Sequence, residues 1–278
     1  MSAVAGAPAI PRLERTGGIN QARVICSEWT KLRSLRSSRW SLLVAFVLTV
    51  GLPLLVATVL SSRWGQIDPQ ERADHYRHRL DIALVGVNVS QLAIAVLGVL
   101  LITGEYSSGM IRASLTAVPK RLPVLWAKAL VYAAVVLVLA VPSILIAFFG
   151  SQAILRHHGI LQISFTHPGV PRALFGGALY LVLVGVLALA IGTIVRSTAG
   201  GIASFAAIFF VIPPLLLILP SSWHDAISPY LPSSAGDSMF SFTRDAHTLS
   251  PGWGFVLLAG YSALALAVAA IVLVRRDA

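Results

Sequence analysis

Apolar residues fall in six long runs along this chain, and the polar residues gather between them. Ser41 to Leu60 is 20 residues without a charge, enough helix to cross a hydrocarbon layer of about 30 Å. Comparable runs follow at about 82–103, 124–149, 174–195, 200–219 and 254–274. The pattern predicts an all-α integral membrane protein, with one six-span transmembrane domain over residues 40–278. Pro53 and Pro142 fall inside the first and third runs, where a proline kinks a helix. Pro213 and Pro214 interrupt the fifth, either as a plain kink or by freeing backbone carbonyls, which is tolerated where they face a cavity or protein.

Between the runs the periodicity changes. Residues 1–19, made largely of Ala, Gly, Pro and Arg, read as a disordered cytoplasmic tail. In residues 20–39, Asn20 can cap a helix start. Ile25, Trp29 and Leu32 then share a face, with Arg23, Lys31 and Arg33 off it. This segment reads as an amphipathic helix in the interface, its tryptophan at headgroup depth and its cations toward anionic lipid. A second amphipathic piece lies in Gly104 to Arg121, G-E-Y-S-S-G-M-I-R-A-S-L-T-A-V-P-K-R. Ile111, Leu115 and Val118 sit at i, i+4 and i+7, one face of a short helix between spans two and three, with Arg112 and Thr116 off that face. Two readings stand here: a handle for another protein, or a turn resting on lipid headgroups. The stretch from Pro220 to Trp253 mixes Trp223, Ile227, Tyr230, Leu231, Met239, Phe240 and Phe242 with four prolines, which suits a folded cap better than a linker.

Composition narrows the class. Hydrophobic residues make up 56% of the 278 and charged residues 12%, against about 25% charged in soluble domains. The net charge of +10 would suggest nucleic acid in a soluble protein; here it orients the chain, and no nucleic acid is expected. If both ends lie in the cytoplasm, fourteen Lys and Arg fall inside and seven outside, so the positive-inside rule puts both termini there. The first forty residues lack the short apolar core and small-residue site of a cleaved signal peptide. Cys26 is the one cysteine, which excludes an intramolecular disulfide and a cysteine-based metal site.

Candidate chemistry is sparse. Lys128 is the lone charge within the runs, near an end where it can snorkel. Proton- and ion-driven transporters usually hold ionisable groups at membrane depth, so a proton relay is disfavoured. None of the three lysines, Lys31, Lys120 and Lys128, sits in a phosphate loop; any transport work would draw its energy from a partner. Asn88, Ser90 and Gln91, with Pro213 and Pro214, are candidates for lining a path; hydrogen bonding between neighbouring helices is the other reading of the three polar residues. Asp74, His75 and His78 have a spacing that could hold a metal, but Arg72, Arg77 and Arg79 would repel a cation, so no metal site is expected. Ser222, His224 and Asp225 come without a nucleophile elbow, and no catalytic residue is assigned.

The order of these parts resembles the permease subunit of type-2 ATP-binding-cassette (ABC) exporters, in the form common in high-GC Gram-positive bacteria. It rests on S-E-W-T-K-L-R-S-L-R over 27–36, then G-E-Y-x-x-G-x-I-R from Gly104 to Arg112 after the second span. Y-L-P-S-S-A-G from Tyr230 to Gly236, before the last span, completes it. The resemblance implies a multi-pass protein of the bacterial plasma membrane, paired with a second permease copy as a homodimer. A separate ATPase subunit would hold the ATP and Mg, with no cofactor on this chain. Residues 20–39 would be the family's connecting helix, and Gly104 to Pro119 its coupling helix. Trp29, Lys31, Glu105, Tyr106, Ile111, Arg112 and Leu115 would contact the ATPase. The cargo of such an efflux system would be a hydrophobic or amphipathic compound, a peptide or a lipid-like molecule. The alternative is a membrane scaffold or immunity-type factor that binds a partner and moves nothing.

Overall fold

In the computed structural model the described residues are 21–77, 79–107, 121–160, 162–242 and 248–275. Among them the regular structure is helical throughout, and six helices are long and apolar enough to cross a membrane. The chain is an all-α, multi-pass membrane protein.

Helix α1 (Gln21–Ser34) precedes the first span. It stops at Leu35, a single extended residue (φ −74°, ψ 123°), after which α2 (Arg36–Arg63) begins. Ser34 Oγ donates to the Lys31 carbonyl, which also accepts from the Leu35 N–H, and Arg39 Nε donates to the Arg33 carbonyl, one of those a helix end leaves orphaned. After α2 come a 3-10 turn (Trp64–Gln66) and a short helix α3 (Pro69–Arg77). The second and third spans are α4 (Arg79–Ser107) and α5 (Arg121–His157). The fourth is α6 (Val170–Val195), and the fifth is α7 (Thr198–Leu216). Helices α8 (Ser221–Ile227) and α9 (Pro232–Phe240) fill the stretch before the last span, α10 (Pro251–Arg275). Residues 220–242 of that stretch are folded, as its aromatic and proline content predicts.

The second and fourth spans form the centre, with 61% and 67% of their apolar stretches buried; the fifth, at 17%, is peripheral. Small residues set these distances, because dispersion between close backbones replaces the hydrophobic effect that lipid cannot supply. The bundle-facing stripe of α2 is Ala45, Thr49, Pro53, Ala57 and Ser61 at every fourth position. A Cβ on Gly86 of α4 would come within 2.5 Å of the Thr49 carbonyl oxygen. Helix α2 continues through Pro53 and α5 through Pro142, so neither proline ends its span.

The fifth span differs from the 200–219 run. Pro213 and Pro214 have no N–H to give to the preceding turn. The ladder widens into a π segment at Ala207–Val211, where the Ile212 N–H reaches the Ala207 carbonyl five residues back. The helix then ends at Leu216, and Leu217 to Leu219 turn out of it. The third span is also longer than its apolar run, continuing to His157.

Helix α9 is seated between the fourth and sixth spans at glycine contacts. A Cβ on Gly236 would lie 2.1 Å from the Tyr180 ring, and one on Gly254 would lie 1.9 Å from Ser238 Oγ. Arg172 closes the far end, its two guanidinium nitrogens donating to the carbonyls of Met239 (3.2 Å) and Ser241 (2.9 Å).

Candidate functional site

The first helix does not present the face that its hydrophobicity suggests. Its buried stripe is Val24, Glu28 and Leu32, at i, i+4 and i+8, whereas Trp29 is 50% exposed. Val24 and Ile25 pack on Val124 and Ala127 at the start of α5, and Gln21 Nε2 donates to the Pro123 carbonyl. This packing carries a carboxylate inward. Glu28, 4% exposed, meets Lys128 Nζ at 2.5 Å through one oxygen and Lys31 Nζ at 2.6 Å through the other. Glu105, from the last turn of α4, accepts from both lysines on Oε1, at 2.9 Å from Lys128 and 3.1 Å from Lys31.

Two acids and two bases therefore alternate in a ring that joins α1 to the ends of the second and third spans. The ring is electrically neutral, which is the condition for burying charge without a large penalty. Burial pushes the Glu28 carboxyl up, but Lys128 and Lys31 outweigh it and hold it below the usual carboxylate range. Burial likewise works against the Lys31 ammonium, and Glu28 with Glu105 reverses that, leaving it raised. Lys128, read from sequence as a snorkelling cation, is instead 4% exposed and paired with both acids. Leu32, Leu35, Leu101 and Val131 close the ring from its apolar side.

A second set of contacts ties the same end of α4 to the rest of the bundle. Thr198 Oγ1 donates to Thr103 Oγ1 at 2.8 Å. Arg196 caps α6 in the left-handed region (φ 58°) and lays its guanidinium over the Tyr106 ring at 5.2 Å. It also reaches the Val272 carbonyl of α10 at 3.4 Å. Residues 103–106 thus contact α1 and the third, fourth and fifth spans, and reach the sixth through Arg196. They lead directly into the segment read from sequence as a coupling helix; Ile111, Arg112 and Leu115 lie outside the described residues.

Of the residues assigned from sequence to a partner contact, the structure gathers Lys31 and Glu105 into the ring, with Tyr106 adjacent. Trp29 stays at the surface. Glu28 was missed, because a carboxylate on the buried stripe has no apolar signature; its one local signal is the i, i+3 spacing to Lys31. The path candidates are not gathered. Asn88 is exposed, while Ser90 is buried and donates to the Val87 carbonyl of its own helix. Gln91 is buried, donates to the Asn88 carbonyl, and accepts a hydrogen bond from the Tyr180 hydroxyl of the fourth span. Gln91 therefore joins two helices, the alternative weighed for it. Pro213 is partly buried and Pro214 exposed, on the peripheral fifth span.

A scan of the chain against protein-family models and a search of curated proteins both find no match.

Proposed function

We propose that this chain is the membrane-spanning subunit of an ATP-driven exporter, moving a hydrophobic or amphipathic compound, a peptide or a lipid-like molecule. A separate ATPase subunit binds the ATP and Mg, and a second copy of the chain completes the path. Both termini lie on the cytoplasmic side of a bacterial plasma membrane, the side favoured by the excess of Lys and Arg there.

The observation that carries this reading is the ring of Glu28, Lys31, Glu105 and Lys128. It fastens α1 to the two helix ends that flank residues 108–120. A partner pressing on that segment would move α1 and the ends of two spans together, as a subunit that receives mechanical work requires. Exposed Trp29 then supplies an apolar contact from α1, and Ile111 with Leu115 supply others, with Arg112 beside them. Glu105 and Lys31 act one layer deeper, by holding the three helices in register.

The test is purification of the tagged full chain from its host in mild detergent. We expect a stoichiometric partner with a phosphate-loop ATPase signature, lost on Ile111→Asp. Recovery of the chain alone, or with a partner lacking a nucleotide site, overturns the exporter reading in favour of a scaffold.

A further inference from the structure

The far end of the first span carries a groove that the exporter reading does not use. It has a volume of about 520 Å³ and is lined by Leu55, Val56, Val59 and Leu60 of α2 together with Arg63 and Glu71. Residues 55, 59 and 63 lie two positions from the bundle-facing Pro53, Ala57 and Ser61, so about 200° round the helix. The groove consequently looks away from the bundle, and Leu55 and Val59 are 58% and 44% exposed.

Helix α3 makes its roof. The Trp64 ring lies 6.2 Å from the His75 ring, and the Arg72 guanidinium sits 5.8 Å above the same indole. Arg72 Nη2 also donates to the Gly65 carbonyl at 3.2 Å. The turn after the first span is thereby folded back, and it faces Glu71 and His75 toward the same space as Arg63.

The order of chemistry along the groove identifies its occupant. An apolar trough on the membrane face of a span leads up to a cation, then to a carboxylate. Arg63 and Glu71 line one groove, yet neither forms an ion pair or hydrogen bond with the other. Opposite charges that share a space without touching suit a molecule with both signs and a chain between the walls. We propose that this groove binds a membrane phospholipid with an amine-bearing headgroup. Its phosphate lies on Arg63, its ammonium on Glu71, and one acyl chain runs along Leu55, Val56, Val59 and Leu60. A guanidinium matches phosphate geometry, and the apolar strip offers continuous contact. The site requires a membrane but no transport, so it is independent of the exporter reading.

The experiment uses the full chain, purified in detergent with repeated washes, and mass spectrometry of the phospholipid retained per chain. The wild type should retain phosphatidylethanolamine over phosphatidylglycerol. Arg63→Gln should lower that retention about tenfold, as expected for losing a charge-assisted contact, and Val59→Trp, which fills the trough from an exposed position, should lower it by excluding the acyl chain. Glu71→Gln should leave total phospholipid in place and abolish the preference for the amine headgroup. Unchanged retention in Val59→Trp, or an unchanged headgroup ratio in Glu71→Gln, overturns the proposal. So does a shift from dimer to monomer in Val59→Trp with lipid retained, which would assign the groove to a second copy of the chain.

Discussion

The two lysines of the ring differ in what their loss should cost. The Lys128 side chain is 4% exposed and lies between two carboxylates, whereas that of Lys31 is 30% exposed. Removing one partner of a buried pair leaves an uncompensated charge, at about 3–5 kcal/mol, and access of water to the Lys31 side lessens that cost there. Lys128→Met should therefore destabilise the folded chain more than Lys31→Met, as read by thermal unfolding in detergent. The exposed thiol of Cys26 sits on α1 itself, so a fluorophore there reports release of that helix separately from global unfolding. Anisotropy that drops before the bundle melts in Lys128→Met would show α1 leaving first. The pH limits follow from the two shifts. The carboxyl of Glu28 is lowered from 4.5, so its contribution is full above about pH 4.5 and disappears as pH falls through its lowered value. Lys31 is raised from 10.5, so its contribution is full below that pH and is lost as pH climbs past its raised value.

At the scale of elements, α9 carries the opposite case. Burial pushes the Asp237 carboxyl up to about 7, from an ordinary 3.8, and Arg172 spends its guanidinium on the Met239 and Ser241 carbonyls. A raised acid means the folded state holds its proton longer than the unfolded one. Stability then falls as pH rises from about 3.8 to about 7 and stays lower above that. Asp237→Asn should remove this slope and stabilise the protein at pH 8, measured as thermal unfolding across that range; a slope that survives would place its origin elsewhere. The spans that flank α9 were legible because each apolar run is long enough to be unambiguous. Their ends were not. The third run stops at Phe149, but the helix continues to His157 because Ser151 and Gln152 are held inside the fold, by the Phe148 carbonyl and the Ile163 N–H. The fifth run hides its π segment, since Pro213 and Pro214 announce lost hydrogen bonds without saying how the turn before them adjusts.

For the molecule as a whole, the candidate site was half legible. Glu105 and Lys31 were named through the family resemblance as partner contacts, and residues 103–106 sit where the bundle is tied together. The pairing was invisible, because Lys128 meets Glu28 across 100 residues of chain and Glu105 across 23. Hydrophobicity also set Ile25, Trp29 and Leu32 on one interfacial face, whereas the fold buries Leu32 together with Val24 and Glu28 and leaves Trp29 exposed. The neutrality of the ring has a consequence for heredity. A mutation that deletes Lys128 leaves two carboxylates on one lysine in surroundings otherwise apolar, with Leu32, Leu101 and Val131 around them, and loss of one acid restores a neutral pair. Revertants of Lys128→Met should accordingly arise by loss of an acid, at codon 28 or codon 105, rather than by gain of a base. Lineages carrying this protein would then change these positions in pairs of opposite sign, each first step harmful and each second step a repair.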